Sequence, residues 1–163
     1  MAADSSRGSI EKKVLIQASP GVIYRALTDA KDVVQWFCDR ATSDPRVGGE
    51  FRAYWRMGNG GQAQRGRAVF TALVPDAQVE LHWVDEGDNE STDANRHTLC
   101  YTIRLKRGTA EVSVRDEGPP FADQETFDLL SEGWIGVLRD LKEHCESKQR
   151  SSRRQVASEA DSD

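Results

Sequence analysis

The stretch 127-FDLLSEGWIGVLRDLKEHCE-146 decides the fold. In it Phe127, Leu130, Trp134, Val137, Leu138, Leu141 and Cys145 recur at steps of three and four residues, which gathers them on one face of an α-helix while the other face stays charged. Pro119 and Pro120 close whatever precedes it, so a helix is predicted from about Asp123 to Glu146. An apolar stripe about five turns long has to be covered, and the chain upstream offers mainly strands to cover it.

From residue 50 the period is two. Phe51, Ala53, Trp55 and Met57 fall on one face, with Glu50, Arg52, Tyr54 and Arg56 on the other. The glycine-rich turn at 58–61 then leads into a second strand, 64-QRGRAVFTALV-74. Val79, Leu81 and Trp83 alternate next, followed by Leu99, Tyr101, Ile103 and Leu105, then Val112 and Val114, with turns at Gly87 and Gly108. No connection is long enough for a crossover helix, so this is an antiparallel meander.

Nearer the start, Ile10, Lys12, Val14 and Ile16 alternate as a further strand. Ser19-Pro20 supplies an N-cap hydroxyl and an N1 proline for a short helix with Ile23, Ala26 and Leu27 on one face. That helix breaks at Thr28-Asp29 and restarts, with Val33, Trp36 and Phe37 turned to one side. The whole is α+β: a curved antiparallel sheet wrapped around a long C-terminal helix, with two short helices near the N-terminus.

At 163 residues the chain suits one domain, placed at residues 10–146, with a disordered lead at 1–9 and a disordered polar tail at 147–163. Lys+Arg 22 against Asp+Glu 27 leaves a net charge of −5, which argues against nucleic acid as a partner. The three cysteines, Cys38, Cys100 and Cys145, form no CxxC pair, so reduced thiols in a cytoplasm are expected. Neither a signal peptide nor a membrane span is legible.

The order of elements resembles the helix-grip fold of the START and pollen-allergen-like superfamily, SRPBCC. "SPGVIYRALTDAKDVVQWF" (19–37), "VGGEFR" (47–52), "ELHW" (80–83) and "EGW" (132–134) are similar to the family named after the activator of the 90-kDa heat-shock chaperone's ATPase. The resemblance runs from about residue 10 to 146. It implies an internal cavity between sheet and C-terminal helix, and functions that range over ligand carriers, antibiotic self-resistance proteins, polyketide aromatases and cyclases, and chaperone regulators. Two departures fall near the expected cavity mouth: Cys38 follows "WF" where Gly is common, and Asp116 stands where His is frequent. Ligand chemistry therefore does not carry over from the family.

Trp36, Phe51, Trp55, Trp83, Tyr101, Trp134 and Leu138 all fall on inward positions and are the expected ligand-binding set. Any single aromatic more often packs a core than contacts a ligand, but a sheet curled over one helix has difficulty filling its own interior. Tyr101 adds a hydroxyl that needs a partner. His82, His97 and His144 do not stand at metal-ligand spacing, with His82 and His97 expected on opposite faces, so surface histidines are the default and no metal is expected. The acidic run at 85–96 lacks the glycine and final glutamate of an EF-hand loop. With no nucleophile motif and no cofactor signature, no catalytic residue is assigned.

The expected function is thus a hydrophobic small-molecule binding protein, carrying or sequestering a polyketide-like or antibiotic metabolite. One alternative is a cyclase or aromatase, with Tyr101 or His82 assisting proton transfer, which a pocket holding two or more buried ionisable groups would favour. The other is a chaperone-regulating interaction domain.

Overall fold

The computed structural model describes residues 9–56, 64–84, 97–118 and 122–161. Along the chain run β1 (Ser9–Ile16), α1 (Pro20–Thr28), α2 (Ala30–Trp36), β2 (Arg40–Ser43), β3 (Glu50–Trp55), β4 (Gln64–Val74), β5 (Gln78–Val84), β6 (His97–Lys106), β7 (Thr109–Glu117) and α3 (Gln124–Asp161). The seven strands form one antiparallel sheet in the order β1-β7-β6-β5-β4-β3-β2. The α+β helix-grip class is what the chain adopts. The turn at 58–61, the acidic run at 85–96 with Gly87, and Pro119-Pro120 lie outside the described residues.

Local chemistry sets the joints. The Ser19 hydroxyl accepts from Val22 N, and Pro20 opens α1 at a position whose N–H would be unpaired anyway. The break at Thr28-Asp29 is a shared cap: Asp29 is extended, ends α1, and its side chain accepts from Lys31 N at 2.9 Å to start α2. The β6–β7 hairpin turns on Arg107 and Gly108, both at positive φ (52° and 82°), which matches a two-residue loop to the strands' twist. In β4 the register against β5 slips between Phe70 and Ala72. Such a bulge bends its strand and helps the sheet curl toward the helices.

Two boundaries differ from the sequence reading. β2, the polar "RATS", carries no apolar alternation; it forms because β3 offers an unpaired edge that Arg40–Ser43 can join. And α3 does not stop near Glu146 but stays helical to Asp161. No Gly or Pro interrupts 147–161, and the helix is tied down at the expected end and just past it: Gln17 N donates to Glu146 Oε2 at 2.9 Å and Ser19 N to Gln149 Oε1 at 2.8 Å. Lys142 adds a bond to Leu15 O at 3.0 Å.

The core lies between the sheet's inner face and the three helices. Ile10 and Ile16, Ile23, Phe70, Val79, Val112 and Val114, Leu141 and Cys145 are fully buried in it. Among the described residues no helix is long and apolar enough to cross a membrane.

Candidate ligand cavity

The inward face of the sheet behaves differently at its two ends. Under α1 and α2, Leu27, Val33, Trp36, Phe37, Phe51, Leu81, Trp83, Leu99 and Tyr101 enclose a void of about 20 Å³, room for little more than a water molecule. Under the first turns of α3 lies a solvent-open cavity of about 340 Å³, lined by Phe37, Trp55, Gly66, Trp83, His97, Leu99, Asp116, Leu130, Gly133, Trp134 and Val137, with Leu130 and Gly133 exposed at its rim. That falls within the ordinary range for small-molecule sites, about 300–1,000 Å³. Phe37, Trp83 and Leu99 belong to both and form the partition between them.

Each expected site residue finds a definite place. Trp55 and Trp134 line the larger cavity, Trp83 stands in the partition, and Trp36, Phe51 and Tyr101 line only the small void. Leu138 is buried core and lines neither space. Trp36 lines only the small void, and Phe37 lines both spaces.

The indoles are held as well as packed. Trp36 Nε1 donates to Ala26 O at 2.9 Å, fixing α2 against α1, and Trp55 Nε1 donates to Phe37 O at 2.7 Å. Phe37 meets Trp55 edge-on at 5.3 Å, Phe51 meets Trp83 edge-on at 5.9 Å, and Tyr101 meets Trp134 at 6.1 Å and 72°, the arrangements that aromatic quadrupoles favour. Gly66 makes room for this wall. A Cβ there would stand 2.7 Å from Cζ3 of Trp83 and 3.6 Å from Cζ3 of Trp55, so the strand carries a glycine where two indoles cross its backbone.

The polar end of the cavity is the part that the sequence reading missed. Asp116 on β7 is only 3% exposed. Its Oδ1 meets His97 Nδ1 at 2.5 Å, and its Oδ2 accepts from Trp134 Nε1 at 3.1 Å. The His97 ring stacks on Trp83 with planes 11° apart. His97 is thus not a surface histidine, and neither is His144, whose side chain is 8% exposed beside Asp32 of α2. His82 does lie on the other face of the sheet, its Nδ1 3.1 Å from Thr98 Oγ1, away from the cavity.

The signal for His97 and Asp116 was strand parity. His97 shares a face with Leu99 and Tyr101, and Asp116 with Val112 and Val114, so extending each alternation by one step brings both inward. Tyr101 is buried, and desolvation, with Asp116 nearby adding to it, pushes its phenol well above the ordinary range. It stays a neutral hydroxyl. Cys38 and Cys145 are buried free thiols, and burial pushes Cys145 up to about 12, so neither is a reactive thiolate at neutral pH. Among the described residues no group of three His, Cys, Asp or Glu side chains could hold a metal ion.

Residues 17–146 match the model of a family described as Activator of Hsp90 ATPase homolog 1-like protein. No curated protein matches the chain. Among solved structures, the Aha1 dimer from Colwellia psychrerythraea superposes with a TM-score of 0.68 at 21% identity, over 85% of this chain and 96% of that one. DynU16, described as a putative protein in the dynemicin biosynthetic locus, gives 0.70 at 18% identity over 87% of this chain and 48% of its own. CalU16 from Micromonospora echinospora gives 0.63 at 17% identity over 91% and 84%. At these identities the likeness is one of fold.

Proposed function

Since the chain belongs to the Activator of Hsp90 ATPase homolog 1-like family, we propose that it uses the helix-grip interior as a binding site for an apolar, ring-containing small molecule. The observation that carries this is the cavity of about 340 Å³ between α3 and the sheet, walled by three indoles and a phenylalanine. Burying two fused rings there removes apolar surface from water at roughly 25 cal/mol per Å². A polyketide-like metabolite, carried or sequestered, is the ligand class that suits such a wall. The likeness to DynU16, placed by its description in a biosynthetic locus, supports the same direction.

Calorimetric titration with 7-methoxy-4-methylcoumarin, a neutral two-ring probe, tests the reading. Saturable binding of one molecule per chain is expected, and Trp134→Ala should weaken it by more than about tenfold, some 1.4 kcal/mol. No heat and no change in tryptophan fluorescence at any soluble probe concentration would overturn it.

A second reading has one observation behind it. The cavity wall holds two ionisable side chains, Asp116 and His97, in contact with one another. This is the feature that favours a cyclase- or aromatase-type role over simple carriage. The chaperone reading rests on the family's name.

A further inference from the structure

The inference that follows rests on the cavity reading and concerns which polar group of a ligand the aromatic wall recognises. The protein has four indoles, and a buried indole N–H ordinarily finds an acceptor. Three of them do: Trp36 Nε1 donates to Ala26 O, Trp55 Nε1 to Phe37 O and Trp134 Nε1 to Asp116 Oδ2. Trp83 is different. Phe51 meets its ring edge-on and the His97 ring is stacked beside it, yet its Nε1 has no hydrogen-bond partner among the described residues. Nor is that nitrogen sealed from solvent, because the buried unpaired side-chain nitrogens among the described residues belong to Arg67 and His144. Trp83 lines both interior spaces, and of the two only the larger is open and roomy enough for a ligand. A Cβ on Gly66 would stand 2.7 Å from Cζ3 and 3.3 Å from Cε3 of Trp83, so that side of the ring system lies against β4. Nε1 is on the far side of the indole, away from that strand.

We propose that Trp83 Nε1 donates a hydrogen bond to a carbonyl oxygen of the bound ring system, so that the cavity selects aromatic ketones, quinones or lactones over hydrocarbons of the same outline. An indole N–H only donates, which excludes an ammonium or other donor-only group as its partner. A ring laid over this wall removes Nε1 from water, and a ring without an acceptor leaves the donor unpaired in apolar surroundings. That penalty discriminates more strongly than the bond itself attracts, as in any site where a ligand lacking the matching group strands a polar atom. The indoles of Trp55 and Trp134 cannot supply the same contact, since each already holds an acceptor within the protein.

The test compares α-tetralone with tetralin, which has a methylene in place of the carbonyl, on the full-length protein carrying isotope-labelled tryptophan. Each indole N–H gives one nuclear magnetic resonance signal, and the signal missing from Trp83→Phe belongs to Trp83. In the free protein this N–H should exchange with deuterated solvent fastest of the four. With α-tetralone bound it should exchange more slowly and its proton signal should move downfield, whereas bound tetralin should cause no downfield move. The ratio of α-tetralone to tetralin affinity should fall by about tenfold in Trp83→Phe, which keeps a flat ring without the donor. If that variant does not fold, through-bond correlation assigns the signal and the contrast between the two compounds on the parent decides. Equal responses of Trp83 to both compounds would overturn the proposal and leave the cavity reading standing. Binding of neither compound would overturn both, and a downfield move confined to another indole would place the contact there and refute Trp83 as the donor.

Discussion

The two ends of the interior are built from the same residue types and end up in opposite states. Beneath α1 and α2, Phe51 has an edge-on partner on each side, Phe70 at 6.1 Å and Trp83 at 5.9 Å, and the space closes to about 20 Å³. Beneath α3, Trp83 and Trp55 pack across Gly66 of the sheet, Gly133 of the helix lines the space with no side chain, and about 340 Å³ stays open. An aromatic packs where another side chain reaches it, and it lines a cavity where the opposite position has none to offer.

Breaking the closed end should have the largest effect. Phe51→Ala removes a ring that is 3% exposed and should cost about 3–5 kcal/mol by urea denaturation, while affinity for 7-methoxy-4-methylcoumarin in the protein that remains folded changes by less than about threefold. An equal loss in both quantities would mean that the two ends are one space. The partition is the next place to probe. Gly66→Ala puts a methyl 2.7 Å from Trp83 Cζ3, against a ring also held by Phe51 and His97, so the indole or the strand must shift. A cost of about 1–3 kcal/mol is expected, with probe binding weakened because Trp83 walls both spaces. Unchanged binding would show that the partition does not shape the cavity.

A smaller effect should come from the clasp between α2 and α3. His144 Nε2 lies 3.4 Å from Asp32 Oδ1. Burial holds the imidazole below its ordinary 6.5, against the opposing pull of Asp32, and Lys148 adds to the lowering. Below pH 6.5 the unfolded chain therefore binds a proton that the folded one resists, so stability should fall as the pH drops through that range. His144→Gln should flatten this slope in a series of denaturation midpoints, without altering probe affinity at neutral pH. An unchanged slope would assign the acid sensitivity to other groups.

How far the sequence reached follows from what periodicity encodes. Alternation tells which face of a strand points inward, which places Phe51, Trp55, Trp83 and Tyr101, and the helical period does the same for Trp134. It does not tell where along the sheet a residue sits, so Phe51 and Tyr101 could not be told apart from Trp55 and Trp134 as packers and liners. Gly66, which lets Trp83 and Trp55 cross the strand, and Gly133, which lines the space under α3, have no side chain to register in any pattern. Asp116 and His97 were passed over for a different cause: 19 residues apart, they meet only through the β6–β7 register, and a polar residue at a strand's end reads as the start of a loop. β2 and the continuation of α3 past Glu146 escaped because neither carries an apolar period: β2 joins an open edge at β3, and α3 is bonded at Gln149 by Ser19 N.

The central claim is that the space under α3 is open and is the binding site, and filling it from the helix tests this most directly. Gly133 lines the cavity, and a Cβ built on it meets nothing within 4 Å. Gly133→Phe should therefore fold with stability equal to the parent or higher by about 1 kcal/mol, since it also removes a glycine from a helix interior. Titrated with 7-methoxy-4-methylcoumarin beside the parent, it should bind more than about tenfold more weakly. A variant that is destabilised yet binds the probe as the parent does would contradict the account, because the space would then be neither empty nor the site.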